Sequence, residues 1–286
     1  MFVAIGAVIV LACVFGGYLA SGGHFEVLIQ PFEFLIILGA AIGAFVIANP
    51  MTVIKGVGGA LGAAAKGSRY NKDSYIELLS MLFATFKLAK SKGNLALEQH
   101  IENPHDSTLF SQFPGFANDH HAVEFLCDYL RLVTLGTENV HEVEALIDSE
   151  LETHHAEQHQ ISAAVQNMAD GTPALGIVAA VLGVIHTMGS ITEPPEVLGH
   201  LIGGALVGTF LGVLLSYGFI APLAQAIANV HNAEAKYYQC IKAGLLAHIA
   251  GHPPAVSVEF ARKALLSEVR PTFAELEEAT GKVLPV

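Results

Sequence analysis

Four long runs of this chain are so depleted of ionisable groups that water is a poor solvent for them. Residues 2–23 and 34–54 contain no acid, base or histidine. Among those groups, 171–192 contain only His186 and 197–229 only His200. A bilayer span needs about 20 mostly apolar residues. The sequence therefore predicts four transmembrane helices: TM1 near 2–21, TM2 near 34–53, TM3 near 172–191 and TM4 near 201–222. Charged residues make up 14% of the chain, against about 25% in soluble domains. TM1 lacks a basic n-region and its apolar run is too long for an ordinary h-region, so it reads as a span and not as a cleaved leader.

Basic residues set the orientation. All fourteen Lys and Arg lie in 55–131 and 236–282, and the connections 22–33 and 192–200 hold none. The positive-inside rule places the two basic segments in the cytoplasm, and with them both termini. The short connections, carrying Glu26, Glu33, Glu193 and Glu196, face outside. A net charge of −12 argues against a nucleic-acid partner, which requires a basic patch. Cys13, Cys127 and Cys240 are scattered and suggest neither a disulfide nor a metal motif.

The cytoplasmic parts read as helices, so the expected class is an all-α, polytopic membrane protein. Residues 73–90 place Ile76, Leu79, Phe83 and Phe86 at helical spacing. Breaks follow at Asn103-Pro104 and Phe113-Pro114-Gly115. A second helix over 120–135 places Phe125, Tyr129 and Leu132 on one side. No glycine or proline interrupts 140–170, which predicts a long exposed helix, punctuated by Gly171-Thr172-Pro173 before TM3. After Pro222 no breaker appears until Gly244. TM3 and TM4 are thus expected to extend into the cytoplasm, each with a proline near the boundary. Proline removes a backbone hydrogen bond and loosens a helix. Pro173 and Pro222 read either as hinges or as ordinary membrane-helix kinks. Four segments follow: 1–54, TM1 and TM2, the outer lipid-facing layer; 55–170, a cytoplasmic helical domain; 171–222, TM3 and TM4; and 223–286, a helical extension and tail.

The two later spans are rich in small residues. Gly176, Ala180, Gly183 and Thr187 recur at helical spacing on TM3, as do Ala205, Thr209, Gly212 and Ser216 on TM4. Gly204, Gly208 and Gly212 form a small-xxx-small ladder that suits close helix packing. The hydroxyls of Thr209 and Ser216 either bond back to their own helix or face a polar path. Ion pathways nearly always use an intramembrane acid, and no Asp or Glu lies in any of the four spans. Either the chain conducts no ion, or a partner brings the acid. A self-contained carrier would want a charged or unwound site of its own. His155 and His159 stand at i, i+4, a spacing that can bind a metal, but an exposed polar face accounts for them and no metal site is assigned. No Walker motif, GxSxG or other catalytic group is present, so the chain does not read as an enzyme and calls for no cofactor.

The segment TPALGIVAAVLGVIHTMGS, followed by GGALVGTFLGVLLSYGFIAPLA, resembles the TM3–TM4 signature of the MotA family of flagellar motor stator subunits. KSKGNLALEQHIENP resembles that family's rotor-facing segment, and HPPAVSVEFARKAL with RPTFAELEE its tail. The resemblance implies a homopentameric ring in the bacterial inner membrane, surrounded by lipid. That ring encloses a MotB-like partner, which brings one transmembrane aspartate and a peptidoglycan-binding domain. It implies that Pro173 and Pro222 are coupling prolines, and that Thr209 lines the ion pathway with Ala180, Gly176, Gly212 and Ser216. It implies further that Lys90 and Glu98 engage the rotor protein FliG. Many relatives have arginine at position 90; surface steering needs only positive charge, whereas a bidentate contact would suffer. Sodium-type relatives have threonine where this chain has Ala180, so protons are the expected ion. The related ExbB/TolQ proteins, which power outer-membrane import, usually have one span before the large loop, and here two precede it.

Overall fold

In a computed structural model the chain is helical, and the structure describes residues 2–137 and 139–284. No strand occurs among them. The expectation for the extreme chain ends falls on residues 1, 285 and 286, outside the described residues. Four helical stretches are long and apolar enough to cross a membrane: Phe2–Ala20, Phe25–Ala48, Val140–Gly189 and Pro195–Ile249.

The residues group into two compact units. One comprises 2–67 with 156–230, the other 68–137 and 139–155 with 231–284. In the first, α1 (Phe2–Ala20) has no buried residue, and a short helix α2 (Phe25–Leu28) leads into α3 (Pro31–Ala48). TM2 was expected to run to residue 53, but it stops at Ala48. Asn49 is extended, at φ −124° and ψ 143°, because the ring of Pro50 excludes the helical conformation from the residue before it. A new helix, α4 (Met51–Lys66), then begins. Its Ala60 and Ala64 bury against Val165, Ala224 and Ile227.

Two long helices complete this unit. α9 (Val140–Gly189) is a single helix of 50 residues with Pro173 inside it, so the expected punctuation at Gly171-Thr172-Pro173 does not break it. α10 (Pro195–Leu215) passes through one π turn, 216–220, into α11 (Ala221–Ile249). Within the unit Ile37, Ala179, Val207 and Leu211 form a small apolar core. Ile177, Val178, Val181, Leu182, Val184, Ile185 and Met188 of α9 leave a broad apolar face uncovered, as suits contact with lipid or other spans.

The second unit is built around α5 (Lys72–Lys92). The periodicity of α5 predicted one apolar stripe, yet eleven of its residues are buried, including Leu78, Leu79, Met81, Leu82 and Phe86. The middle of this helix is therefore enclosed by its unit, while Lys87 and Lys90 stay exposed. α8 (His120–Thr134), α12 (Pro254–Lys263) and α13 (Phe273–Gly281) surround the core together with the near ends of α9 and α11. α11 runs on through Gly244, where an added methyl would lie 3.2 Å from Ala261 Cβ and 3.3 Å from Leu82 Cδ1. Tyr70 stacks on Tyr237 at 3.8 Å and donates its hydroxyl to Asp119 at 2.5 Å. Lys242 reaches Asp148 at 2.6 Å, and the Tyr129 hydroxyl donates to Glu150.

Candidate functional site

The small residues of TM3 and TM4 meet along one antiparallel seam. A methyl group on Gly183 would lie 2.7 Å from Ala205 Cβ, and one on Gly208 would lie 3.0 Å from the Ala180 nitrogen. On Gly176 it would lie 2.8 Å from the Gly208 carbonyl oxygen. On Gly212 it would lie 2.7 Å from Gly176 Cα and 3.2 Å from the Thr172 carbonyl oxygen. Of the two sequence readings of the glycines, close packing therefore describes Gly176 and Gly212. They touch backbone to backbone and present no open lining of their own.

The seam continues to the prolines. In an α-helix the N–H of residue 173 would bond the carbonyl of residue 169; Pro173 has no N–H, so the Ala169 carbonyl is left over. A proline inside a helix costs about 3 kcal/mol, and a buried unsatisfied carbonyl costs about 1–3 kcal/mol. The Ser216 hydroxyl, fully buried, donates to Ala169 O at 2.6 Å. Ser216 thus spends its donor on the neighbouring helix, a third outcome beside the two expected for it. Its own carbonyl accepts from the N–H of Ala221, which closes the π turn immediately before Pro222. That wider turn gives room to the Pro222 ring, which in a regular helix clashes with the carbonyl four residues back.

The remaining hydroxyls divide clearly. Thr172 donates to Met168 O at 2.6 Å and Thr187 to Gly183 O at 2.9 Å, each bonding back to its own helix. Thr209, half-buried beside Gly208, makes no side-chain hydrogen bond among the described residues. Ala180 is also half-buried, and Pro222 is exposed. No carboxylate stands in the apolar stretch of either helix; Asp170 lies exposed just before Pro173 and accepts from Gln166 at 2.8 Å.

Lys90 and Glu98 belong to the second unit. α5 ends at Lys92, and the next residue, Gly93, has a positive φ of +85° that glycine tolerates. A 3₁₀ turn, Asn94–Leu97, then leads into α6 (Glu98–Glu102). Lys90 and Glu98 are both exposed on the two sides of this bend, with Leu95 exposed between them, and neither makes an ion pair among the described residues. Nearby Glu102 is taken by Arg131 at 2.9 Å. His154, His155 and His159 are exposed on α9, and no cluster of three or more His, Cys, Asp or Glu able to hold a metal occurs among the described residues.

Near Lys90 lies a residue that the sequence did not single out. His248, half-buried, stacks on Phe86 at 4.5 Å, and its Nδ1 is buried with no hydrogen-bond partner. Burial and the charge of Lys90 push its pKa down to about 4, from 6.5. The unfolded chain then takes up a proton near pH 6.5 that the folded chain resists until about pH 4. Stability should fall as pH drops through that window. His248→Phe, which keeps the stack, should flatten this part of the pH profile when the thermal midpoint of the purified complex is followed from pH 7 to pH 4. His100 is also shifted downwards by burial, so a residual slope should remain.

Residues 4–93 match a family model described as Motility protein A N-terminal, and residues 118–240 match the MotA/TolQ/ExbB proton channel family. Motility protein A of Escherichia coli is 44% identical over 97% of this chain and 94% of its own length. Chemotaxis protein LafT of Vibrio parahaemolyticus is 36% identical over 96% of each. The structure of the flagellar MotAB stator complex from Bacillus subtilis aligns at a TM-score of 0.74 and 26% identity, over 96% of this chain and 98% of that one. The C. jejuni MotAB structure, at a TM-score of 0.78 and 19% identity over 95% and 98%, shares the fold.

Proposed function

The chain belongs to the MotA/TolQ/ExbB proton channel family, and on that basis we propose that it is a stator subunit of a bacterial flagellar motor. With a MotB-like partner it turns ion flow across the inner membrane into torque. The observation that carries this reading is the likeness to motility proteins over 97% of the chain, with four helical stretches in this chain long and apolar enough to cross a membrane.

The absence of any carboxylate from the four apolar runs leaves the titrating acid to the partner's single transmembrane helix. Copies of this chain form a five-membered ring around that partner. TM1 and TM2 face lipid, 171–222 face the partner, and both termini and the segments 55–170 and 223–286 lie in the cytoplasm. Thr209 supplies a hydroxyl to the ion path, and its lack of a side-chain hydrogen bond among the described residues supports that role. Ala180 contributes no oxygen there. Gly176 and Gly212 hold the two helices at contact distance. Pro173 and Pro222 pass movement at the partner's acid to the cytoplasmic segments, and Lys90 and Glu98 push on the rotor protein FliG. The role is mechanical, with no catalytic group and no cofactor.

A proton needs only a titrating acid and hydrogen-bonded water, whereas sodium must exchange its hydration shell for several oxygen ligands. With alanine at position 180 the site has one oxygen fewer per copy, so protons are the driving ion. The test is tethered-cell rotation in a motile host deleted for its own stator, expressing this chain with its MotB-like partner. Rotation should persist when sodium is replaced by potassium at constant pH. Rotation that fades with sodium would keep the motor and overturn the ion.

A further inference from the structure

We infer that Ser216 is a positioning residue for the Pro173 bend, acting through the Ala169 carbonyl; this rests on the stator reading above, in which that bend transmits movement. Three observations meet at one point. Pro173 cannot donate to Ala169 O. The Ser216 hydroxyl, fully buried and contributed by the other long helix, lies 2.6 Å from that oxygen. Ser216 also opens the π turn before Pro222, because its carbonyl accepts from Ala221 N–H.

One side chain therefore joins the irregular point of α9 to the irregular point between α10 and α11. Serine suits this place. Its hydroxyl is small enough to lie in the seam one turn beyond Gly212, and its hydrogen can rotate toward the carbonyl. Alanine would leave the seam packed and the carbonyl bare. The two proline sites then work as a coupled pair: bending α9 at Pro173 pulls on Ser216, and Ser216 pulls on the turn that accommodates Pro222. The missing N–H makes Pro173 the point where α9 can bend, and a single cross-helix hydrogen bond holds the carbonyl it frees.

The logic of the bond supplies its test. Pro173→Ala restores the N–H that satisfies Ala169 O within α9, so the Ser216 hydroxyl becomes dispensable in that background. The measurements are made on this chain co-expressed and co-purified with its MotB-like partner. Ser216→Ala should lower the melting temperature of the complex by about 2–4 °C when residue 173 is proline, and leave it unchanged when residue 173 is alanine. At equal complex abundance, Ser216→Ala alone should reduce rotation speed under load. An equal loss of melting temperature in both backgrounds would overturn the bond. A lowered melting temperature with normal rotation would reduce Ser216 to packing and overturn the positioning role. Normal rotation of Pro173→Ala would instead defeat the hinge reading, while the melting comparison would still decide on the bond.

Discussion

Gly212→Val should abolish both the assembled complex and rotation. A first methyl at position 212 already falls 2.7 Å from Gly176 Cα, 3.1 Å from Gly176 N and 3.2 Å from the Thr172 carbonyl oxygen. All three are backbone atoms, so no side chain can rotate away, and the helices must part. Overpacking of a tight contact costs about 1–3 kcal/mol, and valine adds two more methyl groups to the alanine case. Parting the helices also draws Ser216, one turn on, away from Ala169 O and leaves that carbonyl unsatisfied. Gly212→Ala should be intermediate. Gly62→Ala in α4 is the control: its added methyl meets nothing within 4 Å, and the exchange favours a helix by up to about 1 kcal/mol. Yield and elution of the complex, captured through a tag on the partner, should separate the three. If Gly212→Val assembles and rotates normally, the seam is not the close contact described.

Much of this was legible in the sequence, and what was not follows from physics. Apolar runs report a solvent, so the four spans appear directly. Their ends depend on local backbone rules. Asn49-Pro50 ended TM2 five residues before the expected limit of 53, although the dipeptide is itself a turn signal. Residues 51–66, with four glycines, look like a loop, yet their alanines give α4 a buried face. Pro173 was visible, but the partner of the carbonyl it frees was not: a serine 47 residues after Ala169 satisfies it. No periodicity carries that information, because the register between two antiparallel helices is fixed only when they pack. The glycine ladder suggested close packing, and the separation of the helices shows how close it is. Thr209 and Thr187 look alike in sequence and differ in whether the hydroxyl bonds back.

Lys90→Glu should stop rotation while leaving the complex at normal abundance, and so should Glu98→Lys. Both side chains are exposed, and neither makes an ion pair among the described residues, so their exchange falls in the class of surface changes that alter stability by roughly half a kcal/mol or less. The functional effect is larger because a cation and an anion sit on either side of the Gly93 bend. In the proposed rotor contact these opposed charges address a partner surface of complementary sign, and reversing one turns attraction into repulsion. The lysine acts as a point charge without a fork of donors, so Lys90→Arg should rotate normally and Lys90→Gln should retain part of the torque. Because the interaction is exposed, neutralising the lysine removes an attraction that salt screens, so rotation of the Lys90→Gln motor should depend less steeply on ionic strength than that of the unchanged motor, exposed charges being largely screened beyond about 10 Å at 0.1 M salt. A charge reversal at the matching rotor site should restore part of the rotation lost in Lys90→Glu, whereas no rotor change should rescue Gly212→Val, whose defect lies within the stator. One further consequence is internal to the chain. Lys90 helps hold His248 neutral, so Lys90→Glu should raise the pKa of that imidazole and move the acid limb of complex stability, a shift readable by thermal unfolding without any rotor present. Normal rotation of Lys90→Glu at full torque would remove this bend from the rotor contact, and an unmoved acid limb would remove Lys90 from the surroundings of His248.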